Sequence, residues 1–271
     1  MMPSKTCRAR SREVVDLSHW NLTIPVGATI IQTRQLQTYE SKWFARNTDG
    51  SITFYAPSSG AGIRSTPNSI YPRSELRETL PDGADKEANW RLGSARVHRL
   101  SATLTVDALA ASKKAIIGQF HGASTKPPFK LQITGSTIYV QYRPQYNGEE
   151  KKDPILTGYK LGNRLAYSAA VTSDGELTVT VNGEVRKYQF DVASYRSDRW
   201  YAKAGMYSQQ EIGGAGAGKA TFHSLSMTHS DRTEASEVVQ QAESQERHRQ
   251  NPGALVPVRG SAGRPSGELQ L

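Results

Sequence analysis

From about residue 13 to residue 230 the chain alternates polar and apolar positions in short runs, and Gly, Pro, Asn and Asp separate those runs. SITFYAP (51–57), ARVHRLSATLTVD (95–107), KAIIGQF (114–120) and FKLQIT (129–134) read as strands. So do STIYVQYR (136–143), LAYSAAVT (165–172), ELTVTVNG (176–183) and KATFHSLSMTH (219–229). SDGE (173–176) and VNGE (181–184) are hairpin turns between neighbouring strands. DLSHW (16–20) reads as a short turn, and no stretch sustains a helical period. Many short strands at this spacing predict an all-β sandwich or jelly roll.

The pattern fails at both ends. Residues 1–12 are polar and basic, and we expect a flexible segment there. After about Ser230 the chain becomes polar (TEASEVVQQAESQERHRQ) and then rich in Pro, Gly and Ser. With little to bury, residues 231–271 are expected to be mostly disordered. The organisation is thus one domain over 13–230 with a segment on each side.

Composition narrows the function. Cys7 is the single cysteine, so neither an intramolecular disulfide nor a Cys-rich metal site is expected. No apolar run approaches the length of a membrane span, and the N-terminus has no recognisable secretory signal. As written, the sequence reads as unexported. Of the net charge of +9, residues 1–12 carry +4 and residues 231–271 carry −1, which leaves +6 on the middle. A basic body suits an anionic polymer, and at this point nucleic acid and acidic polysaccharide both qualify. A modest positive balance that only aids solubility fits as well.

Three strands hold the chemistry. Side chains two apart share a strand face. In YPRSELRE (71–78), Arg73, Glu75 and Arg77 therefore lie together, as an ion pair or as a lining for a wet groove. In AIIGQFHG (115–122), Gln119 and His121 share a face, and Phe120 points to the core with Ile116 and Gly118. In WYAKAGMYSQQ (200–210), Tyr201, Lys203, Gly205, Tyr207 and Gln209 share a face opposite small apolar residues. The missing side chain at Gly205 is expected to let a polymer approach the backbone. Each strand alone is equally compatible with a solvated polar face or a hydrogen-bonded structural histidine.

YPRSELRE, GQFH and YAKAGMYSQ, in this order, resemble the three signature blocks of polysaccharide lyase family 7, the alginate lyases. The similarity extends from DLSHWNLTIP to KATFHSLSM, roughly residues 13–230. It implies a two-sheet β-jelly-roll whose concave sheet forms the substrate groove. By motif position, Arg73, Gln119, His121 and Tyr207 match the catalytic set. Glu75, Arg77, Tyr201, Lys203 and Gln209 match positions that support the site or bind sugar. The middle block departs from the family: Phe120 stands where Ile or Val is usual, so no preference between mannuronate and guluronate is assigned.

The implied reaction is β-elimination on alginate without cofactor or metal. Arg73 and Gln119 neutralise the uronate carboxylate, His121 or Tyr207 takes the C5 proton, and Tyr207 protonates the departing oxygen. The two epimers present that proton on opposite sides, so the base is expected to differ between them. Alginate is the expected partner, with neither nucleic acid nor membrane, and a monomer is the default. Two readings compete: a non-catalytic binding module for an acidic polysaccharide, and a lyase for another polyuronate such as glucuronan. A sandwich glycoside hydrolase fits worse, because Glu-x-Asp-x-x-Glu is missing and Glu75 is flanked by arginines.

Overall fold

The computed structural model describes residues 14–26, 29–80, 88–124 and 126–231. The expectations for residues 1–12 and for the tail beyond Asp231 lie outside the described residues, as does Cys7. The strands, in chain order, are β1 Trp20–Thr23, β2 Ile30–Ile31, β3 Phe44–Arg46, β4 Ile52–Pro57, β5 Arg73–Glu78, β6 Val97–Ala108, β7 Lys114–Gly122 and β8 Phe129–Thr134. They continue with β9 Thr137–Tyr142, β10 Lys151–Leu156, β11 Arg164–Thr172, β12 Glu176–Val181, β13 Glu184–Gln189, β14 Trp200–Ser208 and β15 Ala217–Ser230. Two helices, α1 Thr33–Leu36 and α2 Val192–Tyr195, have four residues each. Among the described residues no helix is long and apolar enough to cross a membrane.

The strands form two antiparallel sheets. One has the order β10-β9-β8-β7-β14-β5-β1-β2 and the other β13-β12-β11-β6-β15-β4-β3. Their inner faces close on each other: Leu76, Phe120, Leu131, Val140, Ala202 and Ala204 from the first meet Phe54, Leu100, Leu104, Val179 and Phe222 from the second. Period-two alternation produces this directly, since every second residue of β6 and β12 is buried. The two turns predicted from SDGE and VNGE join β11 to β12 and β12 to β13.

The four outermost strands, β2, β3, β10 and β13, carry little of this alternation, and the sequence pattern does not announce them. β13 buries none of its residues fully, because an edge strand packs on one neighbour only. β10 accommodates Pro154, whose missing N–H is tolerated at a sheet edge.

One face assignment needs correction. β7 carries a bulge between Ile116 and Gly118 in its pairing with β8. The extra residue reverses the alternation. Ala115 and Ile117 therefore join the core cluster and Ile116 does not; Ile116 lies beside Tyr207 instead. The Tyr167 hydroxyl donates to the Ile117 carbonyl at 3.3 Å, on the core side of this bulge.

Candidate active site on the outer face of the eight-stranded sheet

The strands β7, β14 and β5 are adjacent at the middle of the eight-stranded sheet. Their registers set Tyr201 opposite His121, Lys203 between Gln119 and Arg77, Gly205 opposite Glu75, and Tyr207 opposite Arg73. Residues up to 134 positions apart in sequence are thereby brought into one patch, on the face away from the core. Leu76, Phe120, Ala202 and Ala204 occupy the core side of the same strands.

Glu75 is the centre of this patch. It is 2% exposed, and its two oxygens meet three donors. Gln119 Nε2 donates to Oε1 at 2.6 Å, while Arg73 Nη1 lies 3.3 Å and Lys203 Nζ 3.7 Å from Oε2. A carboxylate this deep is stable only with such partners. Its effect is to fix the Gln119 amide and to hold two cations in place beneath the surface.

The rings form a second layer. The Arg73 guanidinium lies 3.7 Å from the Tyr207 ring centroid, and Arg77 lies 4.0 Å from that of Tyr201. The His121 and Tyr201 rings stack with centroids 5.2 Å apart and 17° between planes. His121 Nδ1 lies 2.7 Å from the Gly122 carbonyl and 2.9 Å from the Tyr201 hydroxyl. A carbonyl can only accept, so Nδ1 carries the proton and Nε2 presents a lone pair.

Electrostatics holds His121 in that neutral form. Burial pushes its pKa from 6.5 down to about 3, and the neighbouring charges of Lys203, Arg77 and Arg73 act in the same direction. The reference value of a free imidazole, near neutrality, therefore does not describe His121 in the folded chain.

Two expectations about this face change. A side chain at Gly205 would not enter the groove. Its Cβ would stand 2.6 Å from the Ser74 carbonyl oxygen, 2.8 Å from Glu75 Cα and 3.4 Å from Phe54. Gly205, at φ +149°, lets β5 and β14 approach each other closely, and the open space there is not made for a polymer. Gln209 lies beyond the end of β14, with its amide donating to the neighbouring Ser208 carbonyl at 3.4 Å, outside the Glu75 network.

Phe120 is fully buried and packs on Trp90, Phe129 and Trp200 with centroids 5.5, 5.4 and 6.4 Å away. It cannot touch a ligand on the outer face. Its place between Gln119 and His121 lets it act only through the position of the strand.

Sequence reasoning missed three neighbours. Ser69 Oγ lies 2.9 Å from the Tyr207 hydroxyl, and the Tyr71 ring meets that of Tyr207 at 6.3 Å, edge to face. Lys130 of β8 is the register partner of Gln119. Ser69 sits in a loop, where no periodicity marks which way a hydroxyl points. Among the described residues, no group of three or more His, Cys, Asp or Glu is arranged to hold a metal ion.

Comparisons with known proteins agree with this geometry. The alginate lyase family model matches residues 15–229. An alginate lyase from Klebsiella pneumoniae is 27% identical, the alignment covering 84% of this chain and 94% of that protein. The crystal structure of an alginate lyase from Pseudomonas aeruginosa superimposes with a TM-score of 0.72 at 37% identity, covering 79% of this chain and 99% of that one. The family 7 alginate lyase A1-II′, solved as a variant with product, gives a TM-score of 0.72 at 33% identity over 80% of this chain and 97% of that one. With the two-sheet sandwich and all three signature blocks gathered on one face, the chain belongs to the alginate lyase family.

Proposed function

We propose that this lyase depolymerises alginate by β-elimination, with Arg73, Gln119, His121 and Tyr207 as its catalytic residues. The observation that carries this reading is the Glu75-centred network, which sets two cations and an amide beside a neutral histidine and a phenol. A uronate's C5–H bond is hard to break while its carboxylate is fully charged. Arg73, Lys203 and the second amide hydrogen of Gln119 offset that charge and stabilise the enolate-like species formed when the proton leaves. The base takes the C5 proton, the freed electron pair forms the C4–C5 double bond, the C4–O4 bond breaks, and Tyr207 gives its proton to O4. His121 Nε2 is the base for the epimer whose C5 proton faces it, with Tyr207 as the acid; for the other epimer the deprotonated phenol oxygen of Tyr207 takes the C5 proton and passes that same proton to O4.

A pKa near 3 makes His121 a weak base in the free protein. The bound carboxylate corrects this, since its negative charge beside the ring opposes Lys203, Arg77 and Arg73 and raises imidazole basicity as the site fills. Glu75 acts as an organiser of its three donors, and Arg77 and Tyr201 as a stacked wall that supports His121. The A1-II′ structure that holds substrate carries His-to-Asn and Tyr-to-Phe replacements, the same two residue types assigned to proton transfer here.

The test is ultraviolet absorbance on mixing the protein with mannuronate-rich, guluronate-rich and mixed alginates, and with glucuronan. Elimination creates a conjugated double bond that absorbs; binding alone does not. Tyr207→Phe and His121→Ala are expected to fold normally and to lose turnover on at least one alginate by about a hundredfold or more. Near-normal turnover of both variants on every alginate would refute the assignment.

A further inference from the structure

We propose that Ser69 is a positioning residue for Tyr207, holding the phenol oxygen through both of its protonation states. The idea rests on Tyr207 as the proton-transfer residue and adds a partner from outside the three signature strands. Ser69 lies in the loop that leads into β5, and its Oγ stands 2.9 Å from the Tyr207 hydroxyl.

The hydrogen-bond count around that oxygen is restrictive. A serine hydroxyl has one proton and two lone pairs. The Tyr71 backbone N–H points at Ser69 Oγ at 3.1 Å, and it can only donate, so one lone pair is used. The Tyr71 carbonyl lies 3.4 Å away, but it already accepts from Ser65 Oγ at 2.7 Å. The remaining lone pair and the proton of Ser69 are thus available to Tyr207 in turn. In the free site Tyr207 donates to Ser69, whose own proton turns to the second lone pair of the Tyr71 carbonyl. With substrate bound, Ser69 donates to the phenol oxygen instead, which leaves the Tyr207 proton free for the leaving oxygen, and the same bond then holds the phenolate. No heavy atom has to move.

The rest of the surroundings gives this partner its value. Arg73 covers one face of the Tyr207 ring at 3.7 Å, and Tyr71 meets it edge-on. These contacts fix the ring plane but leave the hydroxyl torsion open. Ser69 is the residue that fixes that torsion, so it decides where the phenol proton points.

The experiment compares Ser69→Ala and Ser69→Thr with the parent on alginate, alone and combined with Tyr207→Phe, with folding checked by circular dichroism and melting temperature. Ser69→Ala is expected to lower kcat about tenfold or more while KM stays within about twofold. Ser69→Thr, which keeps the hydroxyl, should restore most of kcat. In the Tyr207→Phe background, where the phenol oxygen is gone, Ser69→Ala should cost nothing further in the residual rate. The idea is overturned by a kcat within about twofold of the parent in Ser69→Ala, by equal losses in the Ala and Thr variants, or by a full additional loss in the Tyr207→Phe background. Should Ser69→Ala fold poorly, Ser69→Cys, alone and combined with Tyr207→Phe, takes its place with the same expected outcomes. Normal turnover of Tyr207→Phe on every alginate would instead remove the role of Tyr207 itself, a separate failure.

Discussion

At the scale of single residues, the site is governed by one buried carboxylate. Glu75 has three donors within 3.7 Å, so removing its charge leaves Arg73 and Lys203 facing each other without a counter-ion. Glu75→Gln is expected to destabilise the fold by about 3 kcal/mol, as breaking buried ion pairs does, and to lower kcat by about tenfold or more. Denaturant melts and initial rates on the same preparation measure both effects. A stable, fully active Glu75→Gln would mean that the network does not organise the site. His121 makes a second prediction. Its pKa of about 3 in the free protein means that acidification from pH 7 to pH 5 does not protonate it. The acid limb of kcat/KM should therefore lie well below 6.5, provided that rates are taken before the protein unfolds. A limb centred near 6.5 that vanishes in His121→Gln would contradict the burial argument. The identities of these residues were legible in their alternation, because Arg73, Glu75, Gln119, His121, Tyr201, Lys203 and Tyr207 all fall on the face the spacing assigns. Their bonds were not, since no spacing within a strand says that Glu75 of β5 reaches Gln119 of β7 across the whole width of β14.

At the scale of elements, β14 is the central strand of the site, and its neighbours come close to it at a cost in sequence freedom. Gly205 faces the Ser74 carbonyl and Phe54, and a methyl group there would overlap backbone, which cannot yield as a flexible side chain does. Gly205→Ala is expected to cost roughly 2 kcal/mol or more and to lower activity by displacing Tyr207 and Lys203 relative to β5. Melting temperature and turnover should fall together; an unchanged melting temperature would show that the strands can part there at no cost. The same reasoning explains why faces near Ile116 could not be read in advance. A bulge adds one residue against the neighbouring strand, and every position beyond it changes side. Alternation is a local signal, whereas a bulge is defined only by a partner strand. The edge strands escaped notice for a related reason: β2, β3, β10 and β13 have a neighbour on one side only, so burial imposes less pattern on them.

At the scale of the whole molecule, a second histidine outside the site couples stability to pH. His98 is fully buried, stacked on Trp90 at 4.0 Å, and bonded through Nδ1 to His229 Nδ1 at 2.6 Å. Burial, with the charge of His229, pulls its pKa from 6.5 to about 4. Between those two values the unfolded chain binds a proton that the folded chain does not. Stability is therefore complete above 6.5 and is lost as pH falls toward 4, and His121 extends the loss toward 3. Melting temperature measured from pH 7 to pH 4 should fall, and His98→Gln should flatten part of that slope; an equal slope in the variant would assign the acid sensitivity elsewhere. By itself the sequence determined the all-β class, most interior strands, two hairpin turns and the residue types of the site. Each of these follows from period-two alternation and turn chemistry, which act over a few neighbouring residues. Only the tertiary structure decided the order of strands within each sheet, the bulge, the reason for Gly205, the protonation of His121 and the reach of Ser69 to Tyr207. Those depend on which distant segments become neighbours and on how much water they exclude, and both are properties of the assembled sheets.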